Sequence, residues 1–321
     1  MTATPHDLVI RPITGPDELD LFCQLPYVLN EELADDLTAG RRQPGWMWVA
    51  LRGGRLVARA AWWTFLGSGD PEVLDIFDID DRIGTTQGLD TAAGLLVKAA
   101  AEVIPAGDPV PQYSRFVPPD WRDHSAQRRV VKDRMAAIEQ TGGRLFVERL
   151  RLEWRPGTPI PEPTGRLTFR PVDDQSQFIT LLKAVLDGTL DAQDRADLAR
   201  MPAEEVALKQ YQDDLLRFDS PREWWRIADG PDGEPVGFVI PAHNDNPIIA
   251  YIGVLPAHRG HGYVHEILAE GTRILAGQGV VRIRASTDLG NAPMAHAFRQ
   301  AGWVNFGRTI NMTWDDREVL T

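Results

Sequence analysis

Residues 254–268 read VLPAHRGHGYVHEIL, and their types and spacing suit one kind of chemistry, the holding of a phosphate. An apolar run ends at Val254, glycines follow at Gly260 and Gly262, and the sequence can then continue as a helix. A strand, a glycine turn and a helix in that order present unpaired backbone N–H groups at the positive end of a helix dipole, which is an anion site. Glycine has no Cβ, so a ligand can come close to the chain, and Arg259 adds a positive charge beside the turn. Glycines also close ordinary turns, so the pattern by itself serves a structural turn equally well. Two other phosphate motifs are excluded. A dinucleotide fingerprint needs Gly-x-Gly-x-x-Gly early in a βαβ unit, with an acidic residue about 20 positions on. A nucleotide triphosphatase loop needs a Gly-Lys-Ser/Thr ending. Residues 254–268 offer neither.

The elements that must position this turn occur twice. LVIRPITGPDELDLF from Leu8 and LTFRPVDDQSQFITLL from Leu167 each give a short alternating strand, Arg-Pro, and a polar turn able to cap a helix. IEQTGGRLFVERLRLEW, ending at Trp154, aligns without gaps with FRQAGWVNFGRTINMTW, ending at Trp314. The two share Gln140/Gln300, Gly142/Gly302, Phe146/Phe306 and Trp154/Trp314. WMWVALRGGRLVARA from Trp46 and WWRIADGPDGEPVGFVI from Trp224 both read as hairpins around a glycine turn. Three matching segments in one order mean a duplicated unit of about 150 residues. Residues 155–165, RPGTPIPEPTG, carry four prolines and form a stiff linker between the copies.

This divides the chain into an N-terminal domain over 1–154, the linker over 155–165 and a C-terminal domain over 166–321. In the second copy the patterns predict strands near 167–171, 223–229, 235–242, 247–255, 280–286 and 303–313, and helices near 175–187, 191–199, 203–217, 261–277 and 291–301. The expected fold class is α/β, with two tandem domains, each a mixed, mostly antiparallel sheet flanked by helices.

Composition narrows the function. With 321 residues, 43 % hydrophobic and 25 % charged, the chain is a globular protein of ordinary make-up. A formal charge of −12 argues against general affinity for nucleic acid and favours cationic small molecules. Cys23 is the single cysteine, so no internal disulfide forms. The sequence has no apolar run of about 18 residues to cross a bilayer. MTATPHDLVIRPI lacks the pattern of a signal peptide, and a cytoplasmic location is expected. No metal site is expected.

IAYIGVLPAHRGHGYVHEIL resembles the acyl-coenzyme A loop of the GCN5-related N-acetyltransferases, Arg/Gln-x-x-Gly-x-Gly/Ala after a strand ending in Val-x-Pro. Val254, Pro256, Arg259 and Gly262 match, while Val264 departs from the final small residue. NAPMAHAFRQAGW resembles the family's second motif through Asn291, Phe298, Gly302 and Trp303. The resemblance covers residues 167–314, and the tandem layout is similar to that of two-domain acetyltransferases such as mycothiol synthase. The first copy has LDIFDIDDRIGTTQGLDTAAGLL in place of the loop, with Asp75, Asp78, Asp80 and Asp81. Those four carboxylates are expected to repel a pyrophosphate, leaving the first domain as scaffold or cleft wall.

The resemblance implies acetyl-coenzyme A, or another acyl-coenzyme A, as co-substrate and a primary amine of a small molecule as acceptor, attacking directly. It puts the pyrophosphate on Arg259, Gly260, His261, Gly262, Tyr263 and Val264. The thioester would lie beside Ile252, Gly253 and Val254, and Asn291 and Phe298 would be on the cofactor side. The family's usual base position is Ile248 here and its usual tyrosine is Phe298, and neither can carry a proton. Tyr251, placed on the strand face of Ile249 and Gly253, and Asp288 are the candidate replacements, followed by His243, Asp245, His265 and His296. The resemblance puts the acidic run 186–199 where the family's substrate-facing helices lie, so it could attract an ammonium, while its residues read first as a solvated helix face. Residues 126–134, AQRRVVKDR, read as the exposed side of a helix. Two alternatives to an enzyme stay open: a non-catalytic acyl-coenzyme A sensor and a purely structural protein. A monomer or a homodimer is expected.

Overall fold

A computed structural model describes residues 8–66, 68–244 and 246–314. The chain forms two compact units, Met1–Glu148 with Thr309–Thr321, and Arg149–Arg308. The first contains β1 (Leu8–Pro12), α1 (Leu19–Phe22), α2 (Leu33–Ala39), β2 (Met47–Arg52), β3 (Arg55–Trp63), β4 (Val73–Ile79), α3 (Thr85–Val103), β5 (Gln112–Val117) and α4 (Ser125–Glu139). The next strand, β6 (Arg144–Trp154), starts in the first unit and ends in the second. The second continues with β7 (Thr168–Pro171), α5 (Gln175–Val185), α6 (Ala192–Leu198), α7 (Ala203–Lys209), β8 (Arg226–Asp229), β9 (Pro235–His243), β10 (Pro247–Val254), α8 (Tyr263–Ala276), β11 (Ile283–Asp288) and α9 (Ala292–Gln300). The last strand, β12 (Val304–Thr313), starts in the second unit and ends in the first. A π-helical turn, Gln210–Asp214, follows α7 directly, where a continuous helix to residue 217 is predicted.

The two units repeat one pairing scheme. In the first, β1–β2, β2–β3 and β3–β4 are antiparallel and β4–β5 is parallel. In the second, β7–β8, β8–β9 and β9–β10 are antiparallel, β10–β11 is parallel, and β11 runs antiparallel to residues 149–154 of β6. The tandem α/β fold expected from the repeats is present in both copies. In the second unit, β9 is covered on both faces, as a central strand of continuous apolar residues should be. Phe238 and Ile240 meet Phe178, Leu182 and Val206 of α5 and α7. Val239 meets Ile267, Leu268 and Leu275 of α8.

Each copy carries a bulge at the same place. In β10, Ile249 pairs with Pro241 and Tyr251 with Ile240, so Ala250 is the extra residue. In β4, Leu74 pairs with Trp62 and Ile76 with Ala61, so Asp75 is extra. A bulge resets the alternation of a strand. Tyr251 therefore packs with the α5 and α7 residues, stacked on Phe238 at 5.6 Å. Ile249 goes to the α8 side. This corrects the expectation that the two share a face; period-2 counting fails across the extra residue.

Beyond each bulge the parallel pair separates. Among the described residues, β10 and β11 pair at the single position Ile248↔Arg284, and β4 and β5 at Val73↔Gln112 and Leu74↔Tyr113. Counted from the bulge, Asp78 stands where the second copy has Gly253. Asp78 is 0 % exposed and sits among Arg59 of β3 (2.8 Å), Arg115 of β5 (3.0 Å) and Arg134 of α4 (3.3 Å). These charges hold its carboxyl down at about 2 despite its burial. Asp75 is bound by Arg42, Asp80 by Arg55 and Arg82, and Asp81 by Arg134. The four carboxylates of the first copy are thus neutralised by arginines rather than bare, which corrects the repulsion expected of them. Arg134, expected on an exposed helix face, is 3 % exposed.

Gly237 of β9 sets how closely β10 can lie. A Cβ there would fall 2.4 Å from the Gly253 carbonyl oxygen and 3.3 Å from the Val254 Cα. Both of these are backbone atoms that cannot swing aside. Gly237→Ala should therefore cost about 1–3 kcal/mol, read as a lowered midpoint in urea. A midpoint equal to wild type would show that the strands can separate without penalty.

Candidate functional site

β10 ends at Val254 and a short 3-10 turn, Pro256–His258, carries the chain to α8. Gly260 and Gly262 have φ of 82° and 76°, in the left-handed region where a side chain is strained. None of the hydrogen bonds among the described residues uses the amides of Gly260, His261, Gly262, Tyr263 or Val264. Gly262 is the N-cap of α8, a 14-residue helix, so these amides stand at a well-formed dipole end. A Cβ on Gly260 would meet nothing within 4 Å, so the cradle is open. Glu266, in the first turn, is bound by Thr164 (2.6 Å) and Arg166 (2.7 Å). Arg166 also donates to the His261 carbonyl at 3.2 Å and lies 5.2 Å from the Tyr263 ring centre. Five unpaired amides around two left-handed glycines are a fit for a pyrophosphate.

Arg259 has a different job from the one expected. Its Nε donates to the Val254 carbonyl (3.1 Å), Nη1 to Asp187 (2.6 Å) and Nη2 to Val185 (2.8 Å). Val185 is the last residue of α5, whose final carbonyls have no helical partner. The guanidinium caps that helix and ties the loop to it, so its charge is spent on carbonyls and not held out toward a ligand. A groove of about 640 Å³ lined by Lys183, Asp187, Gly188 and Leu198 opens beside this junction.

The other expected site residues are placed as follows. Gly253 is buried, and a Cβ there would press on Val185 (2.9 Å) and Phe238 (3.0 Å). Ile252 and Val254 pack toward α8. Asn291 caps α9, accepting from the Met294 amide at 3.3 Å. Phe298 is 2 % exposed, edge-on to Trp303 at 5.0 Å, so it is a core residue with no open face. Ile248 is taken up by the β10–β11 pairing. Asp288 holds the start of α6: Oδ2 accepts from the Ala192 amide at 2.6 Å and Oδ1 lies 2.9 Å from Arg149 Nε. His243 is exposed at the end of β9, and Asp245 lies outside the described residues. His265 and His296 face each other with ring centres 6.4 Å apart.

Tyr251 leads to residues that the sequence did not single out. Its hydroxyl donates to Asp194 Oδ2 at 3.4 Å. Asp194 also accepts from Thr189 Oγ1 (2.8 Å) and Gln210 Nε2 (2.7 Å). Asp194 is 6 % exposed, so the acidic run is not a solvated face. Burial first, and the Asp191 charge second, push its carboxyl up to about 6. Burial and the Asp194 charge raise the Tyr251 hydroxyl well above its ordinary range, so it keeps its proton and serves as a donor, not a base. One signal was available: Asp191, Asp194 and Asp197 fall at i, i+3 and i+6, on one side of a helix. Nothing in the sequence marks Gln210, because its position depends on the π-helical turn.

Residues 192–303 match the model of the acetyltransferase (GNAT) family, about a third of the chain. No curated protein matches. Among solved structures, the chain is similar to a GCN5-related N-acetyltransferase from Sphaerobacter thermophilus, with 16 % identity, a TM-score of 0.57, and 97 % of this chain and 96 % of that one covered. It is also similar to a GCN5-related glucosamine N-acetyltransferase region of a fungal multi-domain GH3 β-N-acetylglucosaminidase, at 13 % identity and a TM-score of 0.58. That match covers 96 % of this chain but only 38 % of the fungal one. At these identities the structures speak for the fold.

The raised Asp194 carboxyl has a stability consequence. The folded protein keeps a proton there up to about pH 6, whereas the unfolded chain releases it near the ordinary aspartate value of 3.8. Stability from this group is present at low pH and is lost as pH rises between those values, by roughly 3 kcal/mol in full. Asp194→Asn should therefore raise Tm at pH 8, by about 2–6 °C, with the gain absent at pH 3.5. Thermal melts at the two pH values check this; an equal change at both would sink it.

Proposed function

We propose that this chain, which carries a GNAT-family acetyltransferase domain over residues 192–303, is an acyl-coenzyme A-dependent N-acyltransferase. Acetyl-coenzyme A is the donor in this reading, and a primary amine of a small molecule is the acceptor. The observation that carries it is the open cradle of five amides, Gly260 to Val264, at the end of a strand that has parted from its neighbour. Coenzyme A, when bound, supplies the acyl group as a thioester. The chain's part is placement. Amides 260–264 take the pyrophosphate charge, Arg259 fixes the loop on α5, and the β10 backbone beyond Ile248 is open to a ligand where a sheet partner would otherwise sit. An acyl transfer carried by positioning and backbone donors needs few side chains.

The second reading is a non-catalytic acyl-coenzyme A sensor, favoured by Ile248 and the buried Phe298 at the positions where a base and an acid are usual. The first unit is proposed as a scaffold, because Asp78, at the position of Gly253 in the second copy, is locked into an ion cluster with Arg59, Arg115 and Arg134. A cytoplasmic setting belongs to the same reading, supported by the single Cys23.

Calorimetric titration with acetyl-coenzyme A should give one site per chain. Gly260→Asp should weaken it at least tenfold, since aspartate tolerates the left-handed backbone while setting a carboxylate in the cradle. Two sites would return the first unit to cofactor binding, and no binding would end the reading. Thiol release over an amine panel then separates enzyme from sensor; glucosamine, after the fungal region, belongs in the panel.

A further inference from the structure

Nine carboxylates of the described residues are buried, and eight of them have a basic side chain within 4 Å. Asp36 has Arg41 and Arg42, Asp78 its three arginines, Asp80 Arg55 and Arg82, and Glu148 Arg122. Glu153 has Arg155 and Arg284, Asp197 has Lys209, Asp229 has Arg170 and Asp288 has Arg149. Asp194 is the exception: all three of its donors, Thr189, Gln210 and Tyr251, are neutral. A buried carboxylate without a cation is costly, and the rest of this chain pairs its buried carboxylates.

A second observation lies in the same place. Gln210 is 9 % exposed, its Nε2 is committed to Asp194, and its Oε1 is buried with no hydrogen-bond partner among the described residues. The π-helical turn that starts at Gln210 fixes this residue, and such turns often mark functional sites. A carboxylate lacking a cation and an amide oxygen lacking a donor together ask for one group that is both. That group is an ammonium carrying N–H bonds.

We infer that Asp194 and Gln210 Oε1 bind the protonated amino group of the acceptor, so that the substrate is a primary ammonium and not a quaternary one. This rests on the acyltransferase reading for its meaning as an acceptor site. Tyr251 connects the pair to β10, with its side chain on the same face as Gly253. Asp191 and Asp288, near the start of α6, add negative charge, offset by Arg149 at 3.3 Å and 2.9 Å. Asp194 also provides for activation. The ammonium N–H bond breaks, the proton forms an O–H bond on the carboxylate, and the neutral amine keeps the lone pair. With its carboxyl at about 6, Asp194 is ionised at neutral pH and ready to accept.

The test uses the full chain with n-butylammonium and n-butyltrimethylammonium chlorides as probes, titrated by calorimetry at pH 7.5 and pH 5. Acetyl-coenzyme A is titrated in parallel. Butylammonium should bind at least tenfold tighter than its trimethyl analogue, and its affinity should fall at pH 5. Asp194→Asn and Gln210→Met should each weaken it about tenfold or more, with acetyl-coenzyme A affinity within about twofold of wild type. Equal binding of both probes, no butylammonium binding by wild type, or undiminished binding by Asp194→Asn would overturn the inference. Should Asp194→Asn fail to fold, Gln210→Met decides the matter alone. Loss of acetyl-coenzyme A binding by wild type would overturn the acyltransferase reading, while the butylammonium titration would still decide on Asp194.

Discussion

The parting of β10 from β11 is the constraint on which the second unit depends. Two parallel strands normally satisfy each other's amides and carbonyls along their length. Here the pairing among the described residues is Ile248 with Arg284 alone, and Ala250 then inserts as a bulge on the other side of β10. The bulge turns Tyr251 toward α5 and α7 and sends Ile252 and Val254 toward α8. One strand thereby delivers a hydroxyl to one face and an open backbone to a neighbouring slot. The loop at its end inherits a fixed position because Arg259 is pinned to Val254 and to the end of α5.

Two ways of treating a buried carboxylate coexist in this chain. Asp78 is surrounded by three guanidinium groups, which hold its carboxyl at about 2, so it is charged at any working pH and acts as a fixed clamp. Asp194 has only neutral donors and sits at about 6, so its charge responds to conditions near neutrality. A group of the first kind suits architecture, since breaking it would leave guanidinium groups unpaired. A group of the second kind makes poor architecture, because stability drops as it ionises. Perturbed groups of this sort concentrate where a ligand or a proton transfer supplies the missing partner.

Local features of the site were legible in the sequence and non-local ones were not. The repeat, the element order of the second copy and the glycine turn between β10 and α8 follow from short-range pattern, and the structure has them at or within a few residues of the expected places. Arg259 was visible as a charge, but besides Val254 its acceptors are Val185, Asp187 and Gly188, 71 to 74 residues earlier at the end of α5, and no local rule points there. The face of Tyr251 was misjudged because a bulge leaves no reliable mark in a run such as PIIAYIGV. The acidic stretches misled for one reason in both copies. A run of aspartates says nothing about which arginines the fold will bring to it, and that decides whether it is solvent-facing, neutralised or left waiting for a cation.

Duplication makes the division of labour between the copies a matter of single positions. Three residues past the bulge, the second copy has glycine and the first has Asp78. A side chain at Gly253 would collide with Val185 and Phe238, so that strand keeps a bare backbone at this point. In the first copy Asp78 draws in Arg59, Arg115 and Arg134 from β3, β5 and α4, and Arg115 bridges β4 to β5 across the gap that the second copy leaves open. A pairing scheme that parts two strands must either receive something between them or fill the space itself. The first copy fills it with an ion cluster. The second has glycine in that place, covered by Val185 and Phe238, and keeps its unpaired amides at the turn that follows the strand.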